Sequence, residues 1–194
     1  MGMTPVPNDH LATIVTDLEM RVRPALRPIP ESRLRLVRWP APDLAKYRVL
    51  FTRVGAPWLW FSRLVMPDDE LLVILTDSAV ELYAVVDPAG IEVGMLELDF
   101  RKLPDCEIAY FGLVPELAGA GHGRWLMAQT MVLAWRAGVE CVWVHTCTLD
   151  HPSALNFYRA QGFAAINREV ETFPDPRIIG VLPRDAAPQI PLLD

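Results

Sequence analysis

Between Val80 and Val114 the chain carries three strand-length runs in succession: Val80 to Val86, Glu92 to Phe100 and Glu107 to Val114. Their β-branched and aromatic residues suit a pleated sheet, and the DPAG segment (Asp87 to Gly90) between the first two is a hairpin turn. Directly after them comes LVPELAGAGHGRWLM (Leu113 to Met127), with glycine at 119, 121 and 123. There Leu126, Met127, Thr130, Met131, Ala134 and Ala137 fall on one helical face, with Gly138 expected to stop the helix. ECVWVHTCT then reads as a strand, HPSALNFYRAQG as a helix with Pro152 near its first turn and Gly162 past its end, and FAAINREVETF as a last strand. Antiparallel strands followed by strand–helix–strand–helix–strand imply a mixed α/β sheet in one domain.

The remainder frames this unit. HLATIVTDLEMRVRP contains a period-2 strand around Ile14 to Met20. A proline-rich connection, RPALRPIPES, leads to the alternating RLRLVRW. Pro40 and Pro42 precede a helix near Leu44 to Thr52, and GAPWLWFSRLV and PDDELLVILTD each suggest a short helix. From Pro174 onward five prolines in 21 residues predict an extended tail on the surface. At 194 residues the chain fits one domain with extensions, and 52% hydrophobic residues leave ample material for a core.

Runs such as LLVIL (Leu71 to Leu75) are too short to span a bilayer, and MGMTPVPNDH lacks a secretory pattern. Val6 departs from the myristoylation pattern. Three cysteines without metal-ligand spacing read as reduced thiols, which points to a cytoplasmic protein. The net charge of −6 argues against nucleic acid as a partner and is compatible with a cationic small substrate.

Gly119, Gly121 and Gly123 stand where a helix begins, with unpaired N–H groups and the positive end of the dipole. A flexible turn is the bland reading; a backbone cradle for phosphate, helped by Arg124 in the first helical turn, is the sharp one. The dinucleotide pattern GxGxxG fails because position 124 is Arg, and the P-loop fails because no Lys-Ser/Thr pair follows.

LVPELAGAGHG resembles the acetyl-CoA loop of the GCN5-related N-acetyltransferases (GNAT), Gln/Arg-x-x-Gly-x-Gly/Ala after a strand. Ala118 falls on the Gln/Arg position, a departure, with Gly121 and Gly123 on the glycines. HPSALNFYRAQGF is similar to the family's second motif: Ala154, Tyr158, Gly162 and Phe163 match, and His151 replaces the usual Asn. The resemblance covers roughly Val80 to Phe173. It implies a single-domain, mixed but mostly antiparallel central sheet flanked by helices. It also implies an N-terminal extension with an added strand (1–32), an acetyltransferase domain (33–173) and a proline-rich tail packed on it (174–194).

The resemblance implies acetyl-CoA as co-substrate, an amine of a small molecule or of a protein or peptide as acceptor, and no metal. Direct transfer needs a neutral amine, yet a free alkyl amine has a pKa of about 10, so a base is required. By the family match Tyr158 is the acid that protonates the departing sulfur, and Ala154 leaves room for the pantetheine arm. Backbone groups of Leu113 and Val114 pair with the pantetheine amides. Ala118, Gly119, Ala120, Gly121, His122, Gly123 and Arg124 hold the pyrophosphate, and His151 contacts coenzyme A. Glu107 matches the base of the histone-acetyltransferase branch; Glu97, Asp99 and His145 are alternatives, Glu97 and His145 also as substrate contacts, with His145 lying where the family's sheet splays open. Trp58, Trp60 and Phe61 wall either the acceptor site or a helix core. Cys106, Cys141 and Cys147 read as small buried hydrophobes. A homodimer is compatible with this reading, as is a non-catalytic acyl-CoA-binding module.

Overall fold

The computed structural model describes residues 2–25, 28–40 and 42–193, so residues 26 and 27 of the proline-rich connection lie outside the described residues. Seven strands form one sheet: β1 (His10–Met20), β2 (Arg35–Arg38), β3 (Val80–Val86), β4 (Glu92–Asp99), β5 (Asp105–Leu113), β6 (Cys141–Cys147) and β7 (Ala164–Pro174). Their order is β2-β3-β4-β5-β6-β1-β7. Every adjacent pair is antiparallel except β5–β6. That parallel junction is short, with only Asp105↔Cys141, Cys106↔Val142 and Glu107↔Trp143 in register. Beyond Glu107 the two strands part and the sheet forks.

Helices cover both faces of the sheet. In α1 (Leu44–Gly55) the buried residues Tyr47, Leu50, Phe51 and Val54 recur at helical spacing, and Asp43 caps its start by accepting from the Lys46 N–H at 3.1 Å. This stripe packs on β4 and β5, where Phe51 meets the Tyr110 ring edge-on at 4.9 Å. The neighbouring residue, Phe111, points to the other face and meets Phe157 and Tyr158 of α5 (Ala154–Ala160). Two short helices, α2 (Ser62–Val65) and α3 (Asp68–Thr76), follow α1, and α4 (His122–Ala134) opens directly from the glycine stretch.

Four local expectations change. The first strand starts at His10 rather than near Ile14, and β1 sits inside the sheet, between β6 and β7. GAPWLWFSRLV is not one helix: a 3-10 turn over Ala56–Trp58 ends at Leu59 in the left-handed region (φ 57°) before α2. Burial of Leu59 against Leu182 and Ala187 holds that conformation. Helix α4 ends at Ala134, because Trp135 is buried and Arg136 turns back over the Phe100 ring at 3.3 Å and onto Glu81 at 2.8 Å.

The tail from Pro174 is not extended. It folds through turns around a buried pair in which Arg177 donates to Asp175 at 2.7 Å and to the Ile190 carbonyl at 2.8 Å.

Candidate functional site

The fork opens into a cleft of about 600 Å³ that passes from the α4/α5 face to the α1/α2 face. Arg124, Gly121 and Gly119 line one end; Tyr158, Ala154 and Leu113 line the middle; Trp58, Phe61, Phe173 and Glu171 line the other end. At the first end the backbone is unusually open. Among the described residues the N–H groups of Gly119, Ala120, Gly121, His122 and Gly123 have no hydrogen-bond acceptor. On either side, Ala118 donates to Pro115 at 2.9 Å and Arg124 to Gly121 at 3.1 Å. Gly121 is the cap of α4 at φ 82°, a conformation costly for any residue with a Cβ. Five free donors at a helix start make an anion cradle. Ala120 and His122 contribute main chain only, since the His122 ring is held at 3.1 Å from the Ser32 hydroxyl.

In the fork, the main chain of β5 is exposed on its β6 side. The Val114 N–H donates to Val93 at 2.9 Å and the Val114 carbonyl accepts from Leu117 at 3.0 Å, so the expected pairing role of Val114 is corrected: its backbone is occupied. By antiparallel alternation it is Leu113 and Phe111 that turn their N–H and C=O groups toward the opening. Tyr158 is buried among Phe111, Phe157 and Phe163 and lines the cleft, and no described residue hydrogen-bonds its hydroxyl. Burial pushes its phenol well above the ordinary value, so it remains protonated. His151 lines the cleft just ahead of α5, its ring 5.2 Å from that of Trp58 and its Nδ1 accepting from the Ser153 N–H at 3.2 Å.

The four alternatives for a base separate cleanly. Glu97 is wholly buried, accepts from the Tyr47 hydroxyl at 2.9 Å and pairs with Arg63, so as a substrate contact it is corrected: it belongs to the core under α1. Asp99 is bound by Arg101. Glu107 and His145 remain, brought together across the last rung of the junction with His145 Nδ1 at 3.9 Å from the Glu107 carboxylate. Glu107 is largely shielded from solvent, and this raises its pKa although His145, when charged, pulls it down. His145 is half exposed and lines the cleft.

Trp58 and Trp60 both line the cleft, and Trp60 is at the same time packed against the main core. Trp60 abuts Gly112, where a Cβ would stand 3.0 Å from the edge of the indole and 2.5 Å from Val54, and its Nε1 donates to Asp150 at 3.3 Å. Asp150 also accepts from the Thr146 hydroxyl at 2.7 Å and the Cys147 N–H at 3.0 Å. Asp150, Glu171, Phe173, Thr13 and Val15 are cleft residues that sequence reasoning missed. The last four come from β1 and β7, and no local pattern tells that these strands adjoin. Cys147 also lines the cleft, its thiol pushed up by burial. Among the described residues no three ligating side chains form a metal cluster, and no helix is long and apolar enough to cross a membrane.

The fold recurs in solved structures. A GCN5-related N-acetyltransferase from Sphaerobacter thermophilus superposes with TM-score 0.58 at 17% identity, over 84% of this chain and 51% of that one. An aminoglycoside acetyltransferase from an uncultured soil metagenomic sample gives 0.54 at 21%, over 67% and 88%. A tandem GNAT protein from the clavulanic acid biosynthesis pathway gives 0.55 at 17%, over 84% and 53%. The chain thus spans about half the length of the first and the last of these. Compared by sequence with curated proteins, it finds no match. The model of the acetyltransferase (GNAT) family matches residues 56–163, more than half of the chain and all of the fork from α2 to α5. With the forked sheet, the open amide row and this match together, the chain belongs to the GNAT acetyltransferase family.

Proposed function

We propose that the protein transfers an acetyl group from acetyl-CoA directly to an amine held on the α1/α2 side of the fork. The observation that carries this reading is the row of five unpartnered amides, Gly119 to Gly123, at the mouth of a cleft that Tyr158 lines. Such a row, with Arg124 beside it, binds a diphosphate. Leu113 and Phe111 then offer main-chain groups to an extended amide-bearing arm, as an edge strand does. Acetyl-CoA supplies the thioester carbonyl carbon. The chain's residues position the acceptor nitrogen against that carbon, and the C–N bond forms as the C–S bond breaks. Tyr158 gives its phenolic proton to the sulfur and is restored by the proton that the nitrogen sheds as the amide forms. The proton of the acceptor ammonium passes by way of His145 to Glu107, whose raised pKa makes it a better base than an exposed carboxylate.

Thiol release from acetyl-CoA with a panel of amines tests this. Tyr158→Phe is expected to lower kcat by about 10²-fold with acetyl-CoA affinity retained, the usual scale for one general acid. Tight acetyl-CoA binding without turnover on any amine would make the protein a binding module instead, and failure to bind coenzyme A would overturn the reading altogether.

A further inference from the structure

At the acceptor end, the open face of β6, β1 and β7 carries several carboxylates, since directly paired residues share a face. Nearly all are engaged. Glu19 accepts from Arg21 at 2.7 and 2.8 Å. Asp17 and Glu169 share the Asn167 amide at 3.1 and 3.2 Å. Asp150 is committed to Trp60, Thr146 and Cys147, and Glu107 to His145. Glu171 has no hydrogen bond or ion pair with any described residue, yet it lines the cleft beside Phe173, which stacks on Phe61 at 4.8 Å with Trp58 nearby. Among the described residues the only arginine lining the cleft, Arg124, stands at the opposite, amide-lined end.

The reacting amine gives up its proton by way of His145 to Glu107 and is neutral when it attacks, so at that point it offers a further carboxylate no charge to pair with. From this we infer that Glu171 and the Phe61–Phe173 pair form a subsite for a second, non-reacting ammonium group of the acceptor: the substrate class is a small di- or polycationic amine. An exposed carboxylate beside a stacked aromatic pair in the same cleft makes a setting that favours an ammonium over a neutral or anionic group. The inference rests on the acetyl-transfer reading for the role of the first amine, but the subsite itself is a binding claim.

The test pairs linear diamines with monoamines of equal chain length. In the wild type, kcat/KM for the diamines is expected to exceed that for the monoamines by about fivefold or more, the scale of one partly screened ion pair with a ring contact. Glu171→Gln is expected to remove most of that preference, with acetyl-CoA affinity serving as the check on folding, and Glu171→Asp to restore part of it. An unchanged preference in Glu171→Gln, or none in the wild type, overturns the subsite. Calorimetric titration of the diamine into the coenzyme A complex separates the two claims. Diamine binding that depends on Glu171 without turnover supports the subsite and defeats the transfer reading; turnover of monoamines without Glu171-dependent diamine binding does the reverse.

Discussion

In the proposed transfer, Glu107 is the carboxylate that would serve chemistry at a cost to folding. Its pKa is raised by burial, and the proposed base must be ionised. Activity is therefore gained as pH rises through that raised value, and kcat/KM is expected to show an acid limb above the ordinary carboxylate range. Glu107→Gln removes the limb and lowers kcat by about 10²-fold. The stability effect has the opposite sense. A carboxyl whose folded pKa exceeds its unfolded one favours folding while protonated, and this contribution is lost as pH rises. At neutral pH the Gln variant is expected to melt no lower than the parent, with any advantage vanishing in acid; thermal melts at two pH values decide it. Glu107, Tyr158 and the glycines could be proposed from sequence because each sits at a fixed offset inside one contiguous motif. Glu171 could not, since only the pairing of β7 with β1, which sets Glu171 opposite Thr13 more than 150 positions away, brings it to the cleft.

At the scale of elements, the wall that carries Trp58 and Trp60 is braced from behind by the chain's last segment. Leu59, in its left-handed conformation between the two tryptophans, is buried with Leu182 and Ala187. Gln189 Nε2 donates to the Pro57 carbonyl at 2.7 Å, and Arg177 gathers the turns that follow. A left-handed non-glycine residue costs of order 1 kcal/mol, so packing must hold it. Leu182→Ala is expected to destabilise the protein by about 2 kcal/mol or more. It is also expected to raise KM for the acceptor several-fold while leaving that for acetyl-CoA unaltered; parallel shifts in both KM values would refute the brace. Helix and strand types in the middle of the chain followed local pattern well. The break at Leu59 and the early end of α4 did not, because both are imposed by contacts distant in sequence: Leu182 in one case, Phe100 and Glu81 in the other.

The whole molecule is two sheet halves, β2-β3-β4-β5 and β6-β1-β7, joined by three residue pairs. A ligand lying in the fork contacts both, so its binding energy adds to their cohesion. Acetyl-CoA is expected to raise the melting temperature and to slow amide exchange at Phe111 and Leu113 on one side and at the rim of β6 on the other, as measured by mass spectrometry. Protection confined to the Gly119–Gly123 loop would contradict this. The place of β1 bears on assembly as well. This strand pairs through Met20↔Val142 on one flank and His10↔Pro174 on the other, so its partners leave the ribosome more than a hundred residues after it does. During synthesis the first strand waits, unpaired and half apolar, for the chain that completes its half of the sheet.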